Sequence, residues 1–118
     1  MHHTYGLHTF NFRAFLTPYT FVFLRQWDID LALDSVPKYK VSVMALIPSI
    51  VHQLVYHPRT PKTDWSTIRI LGSGAAYLPP ELADKLAAMM PVEVTFSEGY
   101  GMSEGVRPNI LPSSRYPH

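Results

Sequence analysis

The segment Gly99-Tyr100-Gly101-Met102-Ser103-Glu104 places two glycines around an aromatic ring, then a hydroxyl and a carboxylate. Glycine lets backbone approach a ligand without a Cβ in the way. The Ser103 hydroxyl can hydrogen-bond a phosphate oxygen, and Glu104 supplies the hard oxygen donor that Mg²⁺ prefers. The same residues also suit an ordinary strand-to-loop turn with a solvated carboxylate, because short motifs recur by accident. A second small-residue segment, Ser73-Gly74-Ala75-Ala76, follows the apolar run 68–71. A flat ring could lie against such a turn; tight packing between a strand and a helix demands the same small residues.

Positioning these segments requires secondary structure, and the eleven prolines divide the chain into short elements. Residues 6–16 read as a helix stopped near Pro18, and 21–24 as a short buried strand. Asp28 or Asp30 can cap a helix reaching Tyr39, with Leu31, Leu33, Val36 and Tyr39 inward and Pro37 inside it. The run 41–47 is apolar and partly β-branched, which suits a central strand covered on both faces. Pro48 ends that strand and opens a helix carrying Ile50, Val51, Leu54 and Val55.

Residues 57–61 read as a loop and 68–71 as the next strand, with 72–76 its exit. Pro79-Pro80-Glu81 opens a helix through Met90, with Leu82, Leu86 and Met89 on one side. Pro91 stops it, and 92–96 is the last strand. Met44, Met89 and Met90 read as core filler. The expected fold class is therefore α/β, a parallel sheet with right-handed βαβ crossovers. Ligands bind beyond the carboxyl ends of such strands. Pro48-Ser49, Ser73 to Ala76 and Gly99 to Glu104 all fall at those ends.

Four segments in order carry a resemblance: His3-Thr4-Tyr5-Gly6-Leu7, Ile47-Pro48-Ser49-Ile50, the turn from Ile68 to Ala76, and Gly99 to Glu104. Together they resemble the adenylate-forming superfamily, on the branch of acyl-CoA synthetases of the 4-coumarate–CoA ligase type. The likeness runs from His3 to about Pro112. It implies a slice of the large N-terminal AMP-binding domain, residues 1–118 being part of one domain. The family's Ser/Thr/Gly-rich phosphate loop ending in Lys-Gly, its later "TGD" segment and its C-terminal catalytic lysine have no counterpart in these residues. The expectation is a fragment, inactive alone.

The resemblance implies roles residue by residue. Tyr100 would stack on adenine, Ser103 would bond the α-phosphate, and Glu104 would help hold Mg²⁺, with Gly99 and Gly101 in the same loop. Ser73, Gly74, Ala75 and Ala76 would line the adenine and acyl pocket. His3 would stand near the substrate carboxylate and the thiol entry. Tyr5, Thr9 and Glu98 would border the acyl pocket, where a carboxylate at 98 repels a free acid unless turned aside or screened; Tyr5 suits core packing equally well. The family more often has threonine at the place of Ser103 and usually has proline at that of Tyr77. The implied reaction joins a carboxylic acid to CoA through an acyl-adenylate, using ATP and Mg²⁺. Alternatives are an adenylation domain that loads a carrier-protein thiol, and a non-catalytic remnant or interaction module.

Composition narrows the alternatives. Apolar residues make up 47%, and the formal net charge is +1. Charges are scattered, so the sequence carries no electrostatic footprint for nucleic acid. Without cysteine there are no disulfides and no Cys-based zinc sites. His2, His3 and His8 lack the helical spacing and anionic partners of a transition-metal site, and His52 and His57 read as surface or packing residues. No run reaches the ~18 apolar residues of a membrane span, and the polar, histidine-rich start does not read as a signal peptide. No address signal is readable; intact relatives are expected in the cytoplasm or peroxisome.

Overall fold

A computed structural model describes residues 16, 18–74, 76–90, 93–102 and 105–112, with 98–102 and 105–112 described by backbone alone. The elements are α1 (Ile29–Lys38), β1 (Val43–Leu46), α2 (Pro48–Tyr56), a 3₁₀ turn (Thr60–Lys62), β2 (Ile70–Gly74), α3 (Pro80–Ala88), β3 (Thr95–Met102) and β4 (Gly105–Pro112). One four-stranded sheet runs β1-β2-β3-β4. β1 pairs with β2 and β2 with β3 in parallel, whereas β3 pairs with β4 antiparallel. The three expected strands are therefore parallel neighbours, and the α/β fold class holds.

Asp28 caps α1, its Oδ1 accepting the Leu31 N–H at 3.0 Å. The inward stripe is Ile29, Ala32, Leu33 and Val36, the i, i+3, i+4, i+7 pattern of an amphipathic helix. Leu31 and Tyr39 were expected inward but are exposed. Leu31 lies two residues from Leu33 and so on the opposite side, and Tyr39 is already the C-cap. Pro37 is tolerated inside the last turn. The turn closes as a Schellman motif: Val41 N–H reaches the Val36 carbonyl, Lys40 N–H reaches that of Pro37, and Lys40 takes φ 51°.

α2 starts on Pro48, whose missing N–H costs nothing at a helix start. Its buried Val51, Leu54 and Val55 join Leu33, Val36, Leu46, Leu71, Leu86 and Phe96 in one core. Trp65 plugs the core beneath the 3₁₀ turn, its indole N–H donating to the Thr60 carbonyl at 2.7 Å. Met90 is buried and Met44 and Met89 pack against the core, as their spacing suggests.

Pairing sets the rows of the sheet. Met44, Leu71 and Phe96 are lateral partners, as are Leu46, Ser73 and Glu98. These rows lie on the helix-facing side, where Leu46, Leu71, Ser73 and Phe96 are buried. Val43, Ile70 and Thr95 form a row on the other side, followed by Ala45, Gly72 and Ser97. Both crossover helices fall on one face because each connection is right-handed and steps the same way.

Four expectations are corrected. β1 is the first strand of the sheet, not a central one, and only one of its faces is covered: Val43 is 53% exposed. Residues 21–24 form no strand and lie outside the sheet, with Val22 and Phe23 exposed. Their β-forming composition finds no partner strand there, and the Tyr19, Phe21 and Phe23 rings make successive tilted contacts. β3 does not stop at Phe96 but continues through the glycines to Met102. β4 was not expected at all, and it holds Pro108 and Pro112, which cannot donate to a ladder. The helix expected over 6–16 lies outside the described residues except for Leu16.

Candidate functional site

The carboxyl ends of the parallel strands converge as the topology demands. Leu46 ends β1 and leads through Ile47 into α2, so Pro48 and Ser49 form the first turn of a helix at that end. β2 ends at Gly74, and Ala76 is an exposed bend just beyond it. Ser73 and Gly74 are the register partners of Glu98 and Gly99 on β3. Two of the small-residue positions thus sit one strand spacing, about 4.8 Å, from the start of the glycine-aromatic motif.

The motif itself is built differently from the expected loop. Gly99, Tyr100 and Gly101 lie within β3, paired on the far side with β4. Glycine weakens an isolated strand, yet Gly99 pairs with both β2 and β4, and beyond it the strand continues along β4 alone. The β3–β4 register shifts between Tyr100 and Met102, a local irregularity of the kind that redirects a strand. Ser103 and Glu104, between the two strands, lie outside the described residues, as do Ala75, His3, Tyr5 and Thr9. Glu98 is placed by its backbone alone, on the helix-facing row beside Ser73.

Ser73 is 5% exposed, and its hydroxyl has no hydrogen-bond partner among the described residues. Gly72, one residue earlier, faces the other side, and a Cβ built on it would meet only the Met44 carbonyl oxygen at 3.9 Å. Tyr77 is 78% exposed. Sequence reasoning missed Asn109, which β4 places in register with Tyr100. The alternation in Val106-Arg107-Pro108-Asn109-Ile110 was the available signal, and its proline hid it.

Other polar groups lie away from these strand ends in the sequence. Arg59 donates to Asp30 at 2.7 Å and pairs with Asp34, tying the loop after α2 to α1. Hydrogen bonds to Asp34 and then Asp30 raise the Arg59 guanidinium above its ordinary value. A surface cavity of about 400 Å³ at the start of α1 is lined by Arg25, Gln26, Trp27, Asp28 and Leu31, none of which belongs to the motifs. Among the described residues no three His, Asp or Glu side chains are grouped to hold a metal, and no helix is long and apolar enough to cross a membrane.

Three parallel strands with small, glycine-rich segments gathered at their carboxyl ends form an α/β unit of the kind in which ligands bind beyond the strand ends. Residues 1–111 match the AMP-binding enzyme family, and the chain belongs to it. It is 33% identical over 104 residues to 4-coumarate–CoA ligase 4 of Arabidopsis thaliana, a match covering 88% of this chain and 18% of that protein. It is 32% identical over 107 residues to acyl-CoA synthetase 7 of Caenorhabditis elegans, covering 88% and 19%. Among solved structures, ATP-bound MatB of Rhodopseudomonas palustris superposes with a TM-score of 0.77 at 27% identity, covering 95% of this chain and 22% of that one. The chain thus spans about a fifth of the relatives it matches.

Proposed function

We propose that this chain is part of an AMP-forming acid–thiol ligase. The observation that carries the reading is the pairing of Ser73-Gly74 with Glu98-Gly99 at the carboxyl edge of a parallel sheet, in a chain of the AMP-binding enzyme family. In the reaction, a substrate carboxylate oxygen attacks the α-phosphorus of ATP, and the bond to pyrophosphate breaks. The sulfur of CoA then attacks the acyl carbon, and AMP leaves.

The chain's own residues supply positioning and charge stabilisation. Gly74 and Gly99 present bare backbone on adjacent strands, which suits a flat base lying close. Tyr100 stacks on that base, and the Ser103 hydroxyl donates to an α-phosphate oxygen. Glu104 provides a hard oxygen for Mg²⁺, which when bound offsets phosphate charge. His3 stands at the acyl carboxylate and thiol entry, with Tyr5, Thr9 and Glu98 bordering the acyl group.

The test is a chimera in which residues 1–111 replace the matched segment of the Arabidopsis 4-coumarate–CoA ligase 4, assayed for acid-dependent pyrophosphate–ATP exchange. Exchange is expected, with losses of at least about 100-fold on Ser103→Ala or Glu104→Gln, the size seen when one transition-state contact is removed. Exchange that survives both changes overturns the residue roles. A folded chimera with no exchange favours a non-catalytic remnant that acts by binding. That second reading draws on the apolar residues left open on the sheet and its margin, Val43, Ile47 and Ile70, which are 53, 44 and 40% exposed.

A further inference from the structure

The loop that enters α1 borders a surface cavity of about 400 Å³, lined by Arg25, Gln26, Trp27, Asp28 and Leu31. That size falls within the range of small-molecule sites. Trp27 gives the cavity a fixed wall. Its indole N–H donates to Gln53 Oε1 on α2 at 2.9 Å, which ties the ring to a second element and commits its donor. Leu31 supplies a second apolar wall, being 50% exposed on the side of α1 away from the core. Two charges in the lining remain uncommitted. Asp28 turns Oδ1 to the Leu31 N–H, and its Oδ2 has no partner among the described residues. The Arg25 guanidinium makes no hydrogen bond or ion pair among them either. Asp30 and Asp34, the next acids along α1, are both engaged by Arg59.

We propose that this cavity binds a free α-amino acid with an apolar side chain. The ligand's carboxylate pairs with Arg25, whose planar fork matches two carboxylate oxygens. Its ammonium donates to Asp28 Oδ2, and its side chain lies between Trp27 and Leu31. A zwitterion is the class that uses both uncommitted charges. A plain carboxylate would meet Asp28 and a plain amine would meet Arg25, each a like-charge approach. The site uses none of the glycine-rich segments at the strand ends, so it stands independently of the ligase reading.

The test is an NMR titration of the 118-residue chain with L-phenylalanine, following the Trp27 indole N–H and the backbone amides of residues 25–31. Saturable shifts with a Kd on the order of 1 mM are expected, because an open site sets few contacts against the entropy of binding. Phenylpropanoate lacks the ammonium and phenylethylamine lacks the carboxylate. Each should bind about two- to fivefold more weakly, the size of one exposed ion pair. Arg25→Gln and Asp28→Ser should each weaken phenylalanine binding by the same factor; serine keeps the helix cap, so only the carboxylate is lost. In Asp28→Ser the advantage of phenylalanine over phenylpropanoate should vanish, which a general loss of structure would not produce. The proposal is overturned if shifts do not saturate by about 30 mM, if phenylpropanoate or phenylethylamine binds as tightly as phenylalanine, or if both variants bind like the wild type. Should a variant lose the wild-type amide pattern, the ligand series on the wild-type chain decides alone. Pyrophosphate exchange by the chimera depends on none of these outcomes, so the two readings fail separately.

Discussion

Gly74 at the end of β2 is the register partner of Gly99 in β3, so the two glycine-rich motifs meet backbone to backbone across one ladder. Two motifs separated by a whole helix in sequence become neighbours because a right-handed crossover returns β3 to the edge of β2. The side chains omitted at these two positions leave the sheet bare at its carboxyl edge, where the ligand of an open α/β sheet is bound.

Gly72 is a different kind of glycine. Its backbone does not take a positive φ, and an added Cβ meets only the Met44 oxygen at ordinary contact distance. Gly72→Ala should therefore be neutral or stabilising, by up to about 0.5–1 kcal/mol, because alanine restricts the unfolded chain. Chemical denaturation checks this; a loss above about 1 kcal/mol would mean the outer face is closely covered.

Trp65 holds the loop between α2 and β2 through its bond to the Thr60 carbonyl. Trp65→Phe keeps most of the apolar volume and removes the donor. The Thr60 carbonyl keeps its bond from the Thr63 N–H at 3.3 Å, so loss of the indole bond should destabilise the chain by about 1 kcal/mol. Equal denaturation midpoints for the two proteins would show that the bond contributes nothing.

Lys40 sits at φ 51° to close the Schellman turn after α1. A Cβ is disfavoured there by about 1 kcal/mol, whereas glycine takes the conformation freely. Lys40→Gly is expected to stabilise by roughly 0.5–1 kcal/mol, and Lys40→Val to destabilise. A lower thermal midpoint for the glycine variant would contradict the geometry.

Asp64 accepts a side-chain hydrogen bond and a backbone hydrogen bond from Ser66, which together hold its carboxyl below the ordinary aspartate value. A folded value below the unfolded one adds stability above the unfolded pKa. That contribution is lost as pH falls through the folded value. Ser66→Ala removes the larger cause and should raise the Asp64 pKa while narrowing the stability gap between neutral and acid pH. Carboxyl titration by NMR reads the first effect and thermal midpoints at both pH values the second; an unmoved Asp64 pKa would refute it.

The 118-residue polypeptide by itself should show no acid-dependent pyrophosphate exchange. A triphosphate is held by a cradle of backbone amides and a lysine, and the phosphate-loop motif that supplies them in this family does not occur in the sequence. One hydroxyl, one carboxylate and one ring must also overcome the entropy of binding. Exchange above background from the purified chain would refute this.

What the sequence determined by itself is what depends on neighbours along the chain. Asp28 as a cap, Pro48 and Pro80 at helix starts, and the apolar runs of β1 and β2 are local matters of hydrogen bonding and spacing, and each stands where its residues indicate. The βαβ order followed from those elements and the handedness of their connections. Tertiary structure decided the rest. Glycines 99 and 101 favour a loop in isolation, but Gly99 is paired on both sides and β4 carries the strand past Gly101 to Met102. Pro108 argues against a strand until β4 is seen at the end of the sheet, where one side of its backbone needs no partner. Residues 21–24 have strand composition, but a strand exists only when another backbone supplies its hydrogen bonds. The lateral placement of Ser73 beside Glu98, and of Tyr100 beside Asn109, is likewise a property of register. Register is set by packing between segments far apart in the chain, so no local pattern encodes it.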